Sequence, residues 1–109
     1  MRGLPRLPSW LQEGPPGYER FSPTDVEYLQ SLAGIGITPA TLGVNSLSKE
    51  VDLGHDVCSD LDHISSSALY TDIKNQRPDL GKFTINRLVI TAVTYYCPDH
   101  LTDLSGLPE

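Results

Sequence analysis

Between Gly81 and Pro98 the chain carries Ile85, Leu88, Val89, Ala92, Val93 and Tyr96, an apolar series at i, i+3, i+4 and i+7 spacing with no turn signal inside it. That period lays the apolar groups along one face of a helix. The Val, Ile and Thr content would suit a strand equally well, so propensity does not decide. Length does: about fifteen uninterrupted residues are long for a strand and ordinary for a helix. Pro98 supplies the stop, and the helix is expected from near Gly81 to Cys97. An apolar stripe of this size has to be covered, and the rest of the chain is read for what covers it.

Three further helical segments are expected. Ser22-Pro23-Thr24-Asp25 reads as a helix start, with Ser22 as cap, Pro23 at the first helical position and Asp25 three residues after the cap. Val26, Leu29 and Leu32 follow at helical spacing beside Tyr28, and Gly34 or Gly36 ends the run. Ser46 or Ser48 opens a second helix whose apolar stripe is Val51, Gly54, Cys58 and Leu61. The serine run Ser65 to Ser67 precedes a short third helix with Leu69, Tyr70 and Ile73, ended by Arg77-Pro78. The expected fold is all-α, a small four-helix domain over residues 22–104 with a tail over 105–109.

The first 21 residues read differently, because they hold four of the nine prolines, Pro5, Pro8, Pro15 and Pro16. No helix runs through that spacing, and the segment reads as an extended, partly polyproline arm. Pro5-x-x-Pro8 has the general form of a polyproline ligand, with Leu4, Leu7, Trp10 and Leu11 as apolar anchors for a partner. The arm does not read as a signal peptide: Arg2 and Arg6 imitate a basic start, but no apolar stretch of about 7 to 15 residues follows. It carries three basic and two acidic side chains, while the rest of the chain carries five and twelve. A net charge of -6 argues against a nucleic-acid or anionic-membrane surface. The longest apolar run, Leu88-Val89-Ile90, falls far short of the roughly 20 residues of a membrane span.

Cys58 lies on the apolar face of the second expected helix and Cys97 in the last turn of the fourth. Two states are open on spacing. A bridge would be worth about 4 kcal/mol through loop closure, whereas two reduced cysteines would act as small apolar groups in a cytosolic protein. No CxxC pair is present, and two cysteines without paired ligand spacing serve zinc poorly.

The assembled motifs are Tyr28-Leu29-x-x-Leu32 leading to Gly36-Ile37, Gly54-His55-x-Val57-Cys58-x-x-Leu61, Arg77-Pro78-x-Leu80, and Tyr96-Cys97-Pro98 with Leu101. Together they resemble a family of small secreted proteins found mainly in mycobacteria and their relatives, known only as a domain of unknown function. The resemblance covers about residues 22–102. It implies a helical fold stapled by a disulfide between Cys58 and Cys97, and secretion or attachment to the cell envelope. It contributes no catalytic residues, since none are established for the family, and no cofactor is expected. The arm in place of a leader leaves open a mature fragment, another export route, or a relative carried by a phage of such bacteria.

The candidates for catalytic chemistry are His55, Ser59 and His63, spaced at i, i+4 and i+8, with Asp52, Asp56 and Asp62 nearby. His and Asp one turn apart are able to ligate a metal or exchange protons. Eight helical residues, however, rotate the two histidines about 80° apart and separate them by some 12 Å. The same region reads as a solvated acidic face. A Ser-His-Asp triad drawn from one surface helix lacks oxyanion donors and a cleft. His100, just past a helix end, reads as a cap or an exposed side chain. Of the adjacent Tyr95 and Tyr96, one is expected in the core and the other on a surface.

The leading expectation is therefore a non-enzymatic domain that binds an unidentified protein or envelope component, with the arm as contact element. The first alternative is a structural or assembly protein, phage-encoded in one version, whose arm docks on a neighbouring subunit or second copy. A small metal-dependent hydrolase centred on His55 and His63 is the second.

Overall fold

The computed structural model describes Tyr18 and residues 20–108. These residues are helical without a strand among them. The elements are α1 (Pro23–Ala33), α2 (Pro39–Leu42), α3 (Leu47–Leu61), α4 (Ser66–Gln76), α5 (Lys82–Tyr96) and a 3-10 segment (Pro98–Gly106). The four expected helices are α1, α3, α4 and α5, and the first three start where their cap chemistry lies. Ser22, Ser46 and Ser65 each accept a hydrogen bond from the backbone N–H three residues on, at 3.1, 3.2 and 3.1 Å.

Two short elements join the expected four. Thr38 and Thr41 cap α2 reciprocally, Pro39 occupies its first position, and Gly43 ends it at φ 74°. A β-carbon at Gly43 would overlap the Arg77 guanidinium as well as strain the backbone. The 3-10 segment carries Leu101 and Leu104 three residues apart, with Leu107 three further on, which is the period of a three-residue turn. Leu104 and Leu107 pack against the core, while Leu101 stays exposed. The boundary expected at residue 104 thus falls inside an element. Gly106 N–H donates to the buried Ser66 Oγ at 3.1 Å, and Asn86 Nδ2 donates to the Pro108 carbonyl at 2.5 Å. At the other end the folded unit takes in Tyr18, which is buried, and Phe21, which packs on the core. The proline-based boundary assigns both to the arm. Leu4, Leu7, Trp10 and Leu11 lie outside the described residues.

Helix α5 is the axis of the fold. Ile85, Val89, Ala92 and Val93 have no exposure, and α1 and α3 supply most of their cover. Leu29, Leu32 and Tyr28 come from α1, Val51, Val57 and Leu61 from α3. Each fully buried aliphatic side chain contributes roughly 1.5–3 kcal/mol, so this contact dominates the apolar stabilisation.

Where α1, α3 and α5 meet, Gly54 lets two rings approach the α3 backbone. A β-carbon there would stand 2.8 Å from Tyr28 Cζ and 2.8 Å from Tyr96 Cε2. Tyr28 has no room to retreat, being wholly buried with its hydroxyl donating to the Glu50 carbonyl at 2.8 Å. Alanine is the better helix former by about 1 kcal/mol, but overpacking a filled core costs about 1–3 kcal/mol. Gly54→Ala should therefore lower stability in a urea titration. A gain in midpoint would show that the rings yield freely.

Candidate functional site

Several places bring polar or reactive groups together, and they differ in what they can do. The first lies over Gly54. Tyr96 donates its hydroxyl to Asp25 Oδ1 at 2.6 Å, its ring sits 5.0 Å from that of Tyr28, and the His55 ring lies tilted against it at 4.0 Å between centroids. Tyr95 exchanges a hydrogen bond with Ser31 Oγ at 2.9 Å. Both tyrosines are half-buried, and both tie α5 to α1 through their hydroxyls. The expected division into one core and one surface ring does not occur, because the α1–α5 seam runs between the two positions. Burial, followed by the hydrogen bond to Asp25, pushes the Tyr96 phenol up, so it stays protonated as a donor.

The histidines weighed for metal binding or hydrolysis are not brought to one point. His55 is on α3 against Tyr96, and His63 is exposed in the turn after α3. Among the described residues no group of three or more His, Cys, Asp or Glu side chains is placed to hold a metal ion. The histidine that does acquire partners is His100. Its Nδ1 meets Asp103 Oδ2 at 2.7 Å and its Nε2 meets Asp62 Oδ1 at 2.8 Å. Asp103, then Asp62, push the imidazole pKa up, and the doubly protonated ring donates on both edges. The two carboxylates sit on different ring nitrogens, so they clamp the 3-10 segment to the end of α3 without converging on a common ligand position. Neither carboxylate was paired with His100 on sequence. Asp103 at i+3 was a readable signal, while Asp62 is 38 positions away.

The second place is the interior end of α3. Glu50 is 1% exposed, and its Oε2 has no hydrogen-bond partner. Burial pushes its carboxyl from the ordinary 4.5 up to about 7. Burial and the Glu50 carboxylate in turn raise the phenols of Tyr28 and Tyr18. Its sequence surroundings, between Lys49 and Val51, gave no sign of this.

The third place is a groove. Loop and helix residues of α2, α3, α4, the Arg77–Leu80 turn and α5 enclose a concavity of about 190 Å³. Val57, Leu69, Leu80 and Leu88, all buried core residues, form its floor. Asp56, Asp60 and Asp72 stand exposed on its rim. Arg77 is the rim's basic group, and it is already engaged: Nε and Nη2 bind Asp79 at 3.0 and 2.7 Å, and Nη1 donates to the Leu42 carbonyl. Asp79 offsets its charge, so the rim is negative. Lys74 Nζ is engaged too, donating to the carbonyls of Pro78 and Leu80 at 3.1 and 2.6 Å. An apolar floor beneath an acidic rim is complementary in chemistry to an aliphatic side chain flanked by cations.

Holding these helices in place is a disulfide. Cys58 of α3 and Cys97 at the end of α5 are joined, with Cα atoms 6.0 Å apart and 39 positions apart in sequence. Spacing left bridged and reduced states open, the family resemblance implied the bridge, and the structure has it.

The fold and its staple define a small all-α domain with one internal disulfide and a surface groove. The chain belongs to the family described as "Protein of unknown function (DUF732)", which matches residues 24–99. That span runs from the first turn of α1 to just past Cys97 and includes both cysteines. No curated protein and no solved structure matches the chain. No helix among the described residues is long and apolar enough to cross a membrane.

Proposed function

We propose that this domain is a non-enzymatic interaction module that works outside the cytoplasm, secreted from or attached to the envelope of a mycobacterium-like host. It binds a protein partner through the groove between α3 and α4. The observation that carries the binding reading is the pairing of an apolar floor with the acidic rim of Asp56, Asp60 and Asp72. It favours an extended peptide with a leucine-like anchor and a neighbouring lysine or arginine. Export is supported by the Cys58–Cys97 bridge, since such bonds persist in oxidising compartments. An assembly protein, phage-encoded or not, whose arm docks on a neighbouring subunit would use the same groove, and the basic, leucine-bearing arm favours that as the second reading.

The binding reading is tested by titrating the full chain with a short Arg/Leu peptide and a control in which Glu replaces Arg, following backbone amide shifts. The expected result is saturable movement at Val57, Leu69 and Leu80 with the basic peptide alone. Equal response to both peptides, or none to either, overturns it.

A further inference from the structure

We propose that the groove is a seat for the chain's own N-terminal segment, residues 2–11, with Leu4 and Leu7 on the apolar floor and Arg2 and Arg6 against Asp56, Asp60 and Asp72. This rests on the binding reading above and identifies the resident occupant of the same site.

Charge complementarity is the first support. The first twelve residues contain Arg2 and Arg6 and no carboxylate, in a chain whose net charge is -6. Opposite the groove's acidic rim such a segment is attracted, and its leucines meet a floor of matching chemistry. Size is the second. A concavity of about 190 Å³ is a little larger than an engineered cavity of about 150 Å³ that admits benzene, so it takes one or two aliphatic side chains.

Reach is the third. Tyr18, the first described residue, is buried, and the Glu50 carboxylate acts on its phenol. The groove residues Leu53, Asp56, Val57 and Asp60 lie further along the same helix, the last of them about 15 Å from Glu50 at 1.5 Å per residue. The ten residues between Leu7 and Tyr18 span up to about 33 Å, so the segment reaches its own groove with slack. Tethering at that length gives an effective concentration in the millimolar range, which favours the chain's own segment over that of a second copy. Pro5 and Pro8 restrict the unbound segment to extended conformations and reduce the entropy lost on docking. An outside partner of the same chemistry then binds by displacing the arm, and its apparent affinity is lowered by that competition.

Trp10 is the only tryptophan of the chain, so intrinsic fluorescence reads the arm directly. In the full-length protein its emission should be blue-shifted and its quenching by acrylamide several-fold slower than that of a free tryptophan. Asp56→Lys combined with Asp60→Lys should restore free quenching while far-UV circular dichroism stays unchanged. The same double reversal at the exposed Asp52 and Asp99, outside the groove, should leave Trp10 shielded. Free quenching in the unaltered chain overturns the proposal. So does shielding that survives reversal of the rim, and shielding that disappears on dilution, which would assign the groove to a second copy's arm. Leu4→Ser with Leu7→Ser should also release Trp10 and tighten binding of the added Arg/Leu peptide several-fold. If Trp10 is free while the peptide still moves Val57 and Leu69, the own-arm assignment fails and the binding reading stands. If the peptide also has no effect, both fail.

Discussion

Reduction of the Cys58–Cys97 bridge should cost about 4 kcal/mol, the loop-closure entropy regained by the unfolded chain when a cross-link spanning 39 residues is cut. Small domains are stable by about 5–15 kcal/mol in all, so the loss is a large share. With a urea slope of about 1–3 kcal/mol per molar, the unfolding midpoint should fall by a molar or more when reductant is added. Cys58→Ala with Cys97→Ala should reproduce the fall without reductant and show no further response to it. The position of the bridge says what loosens first. It fastens the end of α5, just before Pro98 begins the 3-10 segment, to the last turn of α3. Amide exchange should accelerate earliest over the 3-10 segment. A midpoint unmoved by reductant would mean that the α1–α3–α5 core carries the stability alone.

Stability should also fall as pH rises from about 4.5 to about 7, by about 3 kcal/mol on account of Glu50. The sign follows from which state holds the proton more tightly. Burial raises the folded-state pKa of Glu50 above its ordinary value, so the folded protein binds the proton better than the unfolded chain does. Its contribution is fully present below the unfolded value and is lost as pH rises through the folded one. His100 acts in the same direction over a higher window. Its pKa is raised by Asp103 and Asp62, so the stability of its clamp is present below 6.5 and disappears as pH passes the raised value. Urea titrations at pH 5 and pH 8 should show the difference, and Glu50→Gln, which cannot titrate, should remove the lower part of it. Tyr28 bonds the backbone carbonyl of Glu50, not its side chain, so the variant keeps that hydrogen bond. Equal stability of the unaltered protein at the two pH values would show that water reaches Oε2.

Helix starts were legible because they rest on local chemistry. A serine three residues before a free N–H, or a proline at a first helical position, acts over one turn and needs no partner elsewhere. Helix α2 was not legible by periodicity, since four residues hold no apolar period, although Thr38-Pro39 and Gly43 marked both its ends. The 3-10 segment hid behind Pro98, which was read as a stop. A proline there ends α5 and suits the first position of the next element equally well. Its leucine spacing of three was the available sign. The expected arm boundary lies four residues late because prolines report where helices cannot be, and Tyr18 is buried without being helical.

Of the candidate site, the sequence contained every residue and none of the relations. Asp56 and Asp60 were readable as a solvated acidic face of one helix. That face becomes a rim only because α4 and the Arg77–Leu80 turn bring Leu69, Asp72 and Leu80 opposite it, and because Asp79 offsets Arg77. What the chain determined by itself was the all-helical class, the four principal helices and their caps, since these follow from periodicity and backbone chemistry over one or two turns. The bridged state of Cys58 and Cys97, the burial of Glu50, the clamp on His100 and the groove were decided by tertiary structure. Each depends on groups from different helices meeting at a few ångströms, and burial, pairing and shape at such meetings are set by packing rather than by spacing along the chain.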